Sequence, residues 1–317
     1  MNAKDFEGED VLSLYDWSRE KIEYVFKVAE KMEPIVKNRS RSQLLSDKIL
    51  AAAFYTPSTR TRCSFESAML RLGGGVTGWE SGASTRARGS DIYTKGKKGE
   101  SNKDTAIMLE HYADAIAMRH DEEGAAREFA EWAKIPVLNG GDGYGPTSEH
   151  PTQALLDLYT IKKEQGRIDG LSILHVGDNQ RTRGGHSLNF GLSKFDGVKV
   201  YICCPPELKL RPQEYEPLDE LGLDYEYVDR IEDVLTEVDV VETSTPLVPE
   251  EVRADYTLTA AKLEGVKDNF IVMHQLPRGD SIDTDIDDTK YAKFFEQAWY
   301  GVPIRMALLS LVFGREP

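Results

Sequence analysis

Cysteine is scarce, with three in 317 residues. So small and odd a number argues against a disulfide framework and for a reducing compartment. Cys203 and Cys204 are adjacent and cannot make a metal site alone; buried thiols acting as small apolar groups are the plain expectation. Long apolar runs are missing too. None nears the ~18 residues that span a bilayer, and the opening Met1–Asp10 (MNAKDFEGED) lacks the apolar stretch of a signal peptide. A cytoplasmic protein with no membrane partner is expected. Basic residues are outnumbered, 39 against 54, for a formal charge of −15. A polyanion requires a basic footprint, so nucleic acid is not an expected partner. Small anions stay open as ligands wherever Arg and Lys gather locally. Finally, Gly-x-Gly-x-x-Gly follows no strand-like run; Gly177-Asp-Asn-Gln-Arg has no second glycine in place, which counts against a dinucleotide-binding oxidoreductase.

What is present is alternation. Ile49–Tyr55 reads as a buried strand, and Thr59–Leu72 as a helix stopped by Gly73, Gly74 and Gly75. Ala113–Met118 is strand-like, Glu122–Ala133 helical, and Ile135–Leu138 a short strand. Pro151–Glu164 is a helix with proline at its first position and Gly166 past its end. Strands at Leu171–Val176, Val198–Cys203, Val238–Glu242 and Phe270–His274 follow. Helical stretches are expected at Gly185–Lys194, Ile231–Leu235, Tyr291–Gln297 and Ile304–Phe313. The fold class is α/β: two doubly wound parallel-sheet domains joined by interdomain helices, the join lying near Pro151. Length supports two domains. Ser81–Gly99 breaks the rhythm, being polar, basic and without apolar periodicity, as a functional loop or a disordered one would be.

The strongest chemical signal is Phe54–Glu66 (FYTPSTRTRCSFE). A buried strand ends and a helix opens with Ser58, Thr59, Arg60, Thr61 and Arg62. A helix N-terminus presents unpaired N–H groups and the positive end of its dipole. Hydroxyls add donors, and a guanidinium adds a forked, charge-assisted pair to phosphate oxygens. An ordinary Ser/Thr cap accounts for Ser58 or Thr59 singly; it does not account for the five together after a buried strand.

This segment resembles the carbamoyl-phosphate motif of the aspartate and ornithine carbamoyltransferases. Further segments agree in order: Met118–His120, His150–Asp157 (HPTQALLD), Met273–Arg278 (MHQLPR), Phe295–Ala298 and Gly301–Leu309. The resemblance covers about residue 10 to 313. It implies a carbamoyl-phosphate-binding domain, 1–149, with the C-terminal helix 302–317 packing back on it, and an amino-acid-binding domain, 150–301. It implies that Ser58, Thr59, Arg60 and Thr61 cradle the phosphate. Thr59, Arg119 and His150 would donate to the carbamoyl oxygen, where negative charge grows as an amine attacks. Gln153 and the Leu276 carbonyl would meet the carbamoyl NH₂, with Leu276–Pro277 a candidate cis peptide. Arg183 would hold the α-carboxylate of the amino acid, and Lys98, in Lys95–Glu100 (KGKKGE), would enter a neighbouring subunit's site in a homotrimer. No metal or cofactor is implied, and the activity would belong to pyrimidine biosynthesis. A capping His150 and a surface Arg119, Arg183 or Lys98 are the plainer readings of each residue taken alone. His111, His120, His175, His186 and His274 are read as structural.

Two departures concern the acceptor. The aspartate enzymes carry Arg-x-Gln after the strand at Val238–Glu242, where this chain has Ser244, Thr245 and Pro246. The Asp-x-Trp-x-Ser-Met-Gly element of the ornithine enzymes is absent, and Gln275 stands where they have cysteine and the aspartate enzymes proline. Aspartate is the expected acceptor, another amino acid the alternative, and a non-catalytic anion-binding relative the third reading. Arg86, Arg88 and Arg253 are the candidate cations for a side-chain carboxylate.

Overall fold

The computed structural model describes residues 1–89, 99–244 and 248–317. Lys98, Thr245 and Pro246 lie outside the described residues. The chain divides into two compact units, Met1–Thr152 with Gly301–Pro317, and Gln153–Tyr300.

The first unit opens with α1 (Arg19–Lys37), to which sequence reading assigned nothing. Ser18 caps it, accepting from the Lys21 N–H at 3.2 Å. Ile22, Val25, Phe26, Ala29, Met32 and Val36 form its buried stripe. Next come β1 (Ile49–Phe54), α2 (Thr59–Arg71), β2 (Gly75–Trp79), β3 (Ala87–Gly89), β4 (Glu100–Ser101), α3 (Asn102–Leu109), β5 (Ala115–His120), α4 (Ala125–Trp132) and β6 (Val137–Asp142). The main sheet is parallel with strand order β2-β1-β5-β6. From β1 the chain goes first to one side and later to the other, so strand order reverses between β1 and β5. Right-handed crossovers then send helices to opposite faces. A crevice opens at the carboxyl ends of the strands at such a junction. Phe54 pairs with Arg119 there, and the Tyr55 N–H donates to the Arg119 carbonyl at 2.8 Å.

In the second unit, which takes up the chain within α5 (Pro151–Gln165), come β7 (Ser172–Val176), α6 (Arg183–Leu192), β8 (Lys199–Cys203), α7 (Pro212–Glu220), β9 (Asp224–Tyr227), β10 (Val240–Thr243) and β11 (Ile271–His274); α8 (Phe294–Val312) starts in it and from Gly301 belongs to the first unit. Its sheet is also parallel, ordered β11-β10-β7-β8-β9, so the reversal falls between β7 and β10. Leu174, Val176, Val241, Phe270, Val272 and Phe294 are buried in its core.

Three local expectations change. The helices expected at Tyr291–Gln297 and Ile304–Phe313 are one 19-residue helix, α8, with Pro303 inside it. Proline costs about 3 kcal/mol in a helix interior, and burial of every residue from Pro303 to Val312 outweighs that. Ile231–Leu235 is only a 3₁₀ turn, Ile231–Asp233. Cys63 is exposed, whereas burial pushes the Cys203 and Cys204 thiols up to about 12 and about 11. Among the described residues no helix is long and apolar enough to cross a membrane.

Candidate active site

In the first unit, α2 begins at the reversal point of the sheet. Ser58 is its N-cap, in extended backbone (φ −156°, ψ 96°), and its side chain makes no capping bond. The Ser58 carbonyl accepts from the Arg62 N–H at 3.1 Å. Thr59 and Arg60 are exposed at the helix start, and Thr61 is buried. Arg62, counted with them in the sequence, is engaged otherwise: it donates to Glu66 at 2.7 Å and Glu80 at 2.6 Å. Those carboxylates neutralise it; Arg60 is the second guanidinium at the helix entrance.

Arg119 and His150 meet Thr61 around one glycine. Arg119 Nη1 donates to the Gly140 carbonyl at 3.1 Å. Thr61 Oγ1 lies 3.4 Å from His150 Nε2. A Cβ on Gly140 would stand 2.8 Å from the Met118 carbonyl oxygen and 3.2 Å from Thr61 Cγ2. Glycine is therefore required for this approach. His150 is held through its neighbour, because the Glu149 N–H donates to Asp142 Oδ1 at 3.1 Å. His120, by contrast, packs its ring 4.2 Å from that of Tyr55, and burial lowers its pKa. His175 is buried in β7, with a pKa pushed down to about 4, so it is neutral.

The second unit carries Gln153, Arg183 and Leu276. Arg183 is the first residue of α6 and is buried. The loop before it is tied by Asp178 Oδ1, which accepts the Gln180 and Arg181 N–H groups, each at 3.1 Å. Leu276 precedes a cis proline and has φ 57°, the left-handed region that side chains disfavour. What holds it is His274. Its Nδ1 accepts the Leu276 N–H at 2.6 Å, which puts the ring proton on Nε2, 2.7 Å from Ser281 Oγ. His274 is thus the satisfied core histidine expected, and also the support of the Leu276 backbone.

Ser244 faces inward. Its hydroxyl lies 3.2 Å from both the Val176 and Asp178 carbonyls, and a Cβ on Gly177 would stand 2.9 Å from Ser244 Oγ. The serine braces the β7/β10 junction. Arg253, one of the three candidate cations, is already paired with Asp280 at 2.9 Å.

A buried polar cluster was missed in the sequence. Asp157 Oδ1 accepts from Gln153 Nε2 at 2.8 Å and Gln297 Nε2 at 2.7 Å; Oδ2 accepts from Gln275 Nε2 at 3.2 Å. Gln297 Nε2 also reaches Glu242 Oε2 at 3.3 Å, and Gln297 Oε1 accepts the His274 N–H at 2.7 Å. Burial, and then the Asp157 charge, push the Glu242 carboxyl well above its ordinary range. Two signals were available: Asp157 lies four residues after Gln153 on one helix, and Glu242 interrupts a buried strand.

The family model described as aspartate/ornithine carbamoyltransferase, carbamoyl-P binding domain, matches residues 9–163. The companion Asp/Orn binding domain matches residues 169–312. The aspartate carbamoyltransferase catalytic subunits of Thermococcus onnurineus and Thermococcus kodakarensis are 43% and 44% identical, each alignment covering 98% of both chains. A crystal structure of Trypanosoma cruzi aspartate transcarbamoylase with carbamoyl phosphate and aspartate superposes with a TM-score of 0.88 at 32% identity, covering 100% of this chain and 98% of that one. The same enzyme with carbamoyl aspartate and phosphate gives 0.87 at 32% identity, covering 100% and 99%.

Proposed function

The chain belongs to the aspartate/ornithine carbamoyltransferase family and is a carbamoyltransferase, and we propose that its acceptor is aspartate. The observation that carries this is the gathering of Ser58–Thr61, Arg119 and His150 at the carboxyl edge of a parallel sheet, in a chain alike over its whole length to aspartate enzymes.

The α2 N-terminus, with Ser58, Thr59, Arg60 and Thr61, receives the phosphate of carbamoyl phosphate. Thr59, Arg119 and His150 donate to the carbonyl oxygen. The aspartate amine attacks the carbonyl carbon, and the oxygen takes negative charge that these donors stabilise. The carbon–oxygen bond to phosphate then breaks. The amine's proton leaves with the phosphate, and N-carbamoyl-aspartate remains. Gln153 and the Leu276 carbonyl accept from the carbamoyl NH₂, and Arg183 binds the α-carboxylate. Lys98 completes the site of a neighbouring subunit in a cytoplasmic homotrimer.

The side-chain carboxylate of aspartate needs a cation that Ser244 does not supply. Arg253 faces the exposed Asp280, and we assign the role to Arg86 and Arg88 in the Ser81–Gly99 segment. Incubation of the enzyme with labelled carbamoyl phosphate and single amino acids tests the reading. Aspartate should be labelled, and replacing Arg86 and Arg88 by alanine should raise the KM for aspartate while sparing that for carbamoyl phosphate. Labelling of a neutral or basic amino acid in place of aspartate would overturn it.

A further inference from the structure

We propose that Asp157 is a positioning residue for carbamoyl transfer, turning the Gln153 side-chain amide so that its oxygen faces the carbamoyl NH₂. The proposal rests on the role given to Gln153 above. Asp157 is fully buried on α5, one turn beyond Gln153, and Gln153 Nε2 donates to it at 2.8 Å. A primary amide has two unlike ends, a donor and an acceptor, that occupy nearly the same shape. Either could face a ligand, and the two orientations interchange by one rotation. A carboxylate removes the choice. It accepts and has no proton to give, so the NH₂ end must turn toward Asp157 and the oxygen is left over. No donor among the described residues reaches that oxygen. The carbamoyl NH₂ offers only protons, and an acceptor is what it requires.

The carboxylate is itself fixed from three directions. Gln297 Nε2 reaches Oδ1 at 2.7 Å, beside Gln153, and Gln275 Nε2 reaches Oδ2 at 3.2 Å. Every one of these neighbours donates, which is the pattern of an ionised acceptor. Gln297 then passes the order on: its oxygen accepts the His274 N–H at 2.7 Å, and His274 Nδ1 takes the Leu276 N–H at 2.6 Å. One chain of hydrogen bonds therefore links Gln153 to Leu276, the two residues whose oxygens are assigned to the two N–H bonds of the carbamoyl group. Asp157 touches neither substrate; it acts through both acceptors. A buried carboxylate serving only to stabilise the unit would need no relation to the orientation of Gln153.

Steady-state kinetics on the full-length enzyme with carbamoyl phosphate and aspartate separate the two accounts. Asp157→Asn keeps the shape but can present its own NH₂ to Gln153. Its kcat should fall roughly tenfold to a hundredfold, with the KM for aspartate within about threefold of wild type. Gln153→Met, which leaves Asp157 intact, should lose about as much. In the Gln153→Met background Asp157→Asn should cost less than about threefold more. The exchange variant Gln153→Glu with Asp157→Asn restores a donor at 157 and an acceptor at 153, and should recover at least about tenfold over Asp157→Asn alone. Thermal melting shows whether each variant is folded. Multiplicative losses, no recovery on exchange, or an Asp157→Asn enzyme as active as wild type would overturn the positioning role while leaving the carbamoyltransferase reading standing. A wild-type enzyme that carbamoylates no amino acid would overturn both.

Discussion

Glu242 lies in β10 with its carboxyl buried, sharing Gln297 with Asp157. Two carboxyl groups so placed cannot both ionise cheaply, and the raised pKa of Glu242 assigns the proton to it. In the unfolded chain the same group ionises near its ordinary value of 4.5. As pH rises past that value the folded state binds more protons than the unfolded one, so this group's contribution declines with pH toward its folded pKa. Glu242→Gln copies the protonated form and should abolish that decline. The melting temperature of the variant relative to wild type should rise between about pH 4.5 and pH 8; parallel curves would place the proton elsewhere. Arg60 makes the complementary case. Losing a charged hydrogen bond to a desolvated phosphate typically costs ~3–5 kcal/mol, so Arg60→Ala should lower kcat/KM at least roughly a hundredfold without moving the melting temperature. Activity within threefold of wild type would remove Arg60 from the phosphate site. Arg60 was legible because its neighbours in sequence are its neighbours in space. Glu242 was not, because its partners Asp157 and Gln297 are 85 and 55 residues away in sequence (242 − 157 and 297 − 242).

At the scale of elements, β1 determines where α2 starts, and β2 is packed on β1 without room to spare. Gly78 has φ +136°, and a Cβ there would stand 2.1 Å from the Ala52 carbonyl oxygen and 2.7 Å from its carbon. Those atoms belong to β1 and cannot yield separately from the sheet. Gly78→Ala should therefore destabilise the protein by about 3 kcal/mol, combining backbone strain with overpacking. In Gly75→Ala, on the same strand, the new methyl would meet only Ile49 Cγ1 at 3.6 Å, and stability should change by less than about 1 kcal/mol. Chemical denaturation of the two variants checks this, and equal losses would refute it. The sequence reading missed β2, because Gly75–Trp79 (GVTGW) contains two glycines and no apolar alternation. It also missed α1, although the buried stripe there has ordinary helical spacing.

For the whole molecule the decisive question is whether sites are shared between copies. If Lys98 serves a neighbouring subunit, a head-to-tail exchange must close as a ring. Lys98→Ala and Arg60→Ala enzymes, each inactive alone, should then regain part of their activity when dissociated and mixed. An active monomer in sedimentation would strike Lys98 from the site. By itself the sequence determined the parallel α/β class, the Ser58–Arg60 helix entrance, and the order of the segments bearing Arg119, His150, Gln153, Arg183 and Leu276. Such features are local: an apolar period, a cap, a strand followed by a helix start, and each is written within about fifteen residues. Tertiary structure alone decided that Ser244 braces a strand junction, that Arg253 pairs with Asp280, that α8 runs on through Pro303, and that Asp157 faces three glutamine amides. The reason is that a polar side chain's role depends on what it faces once buried. Hydrogen-bond partners distant in the chain are chosen by packing, and sequence spacing carries no record of that choice.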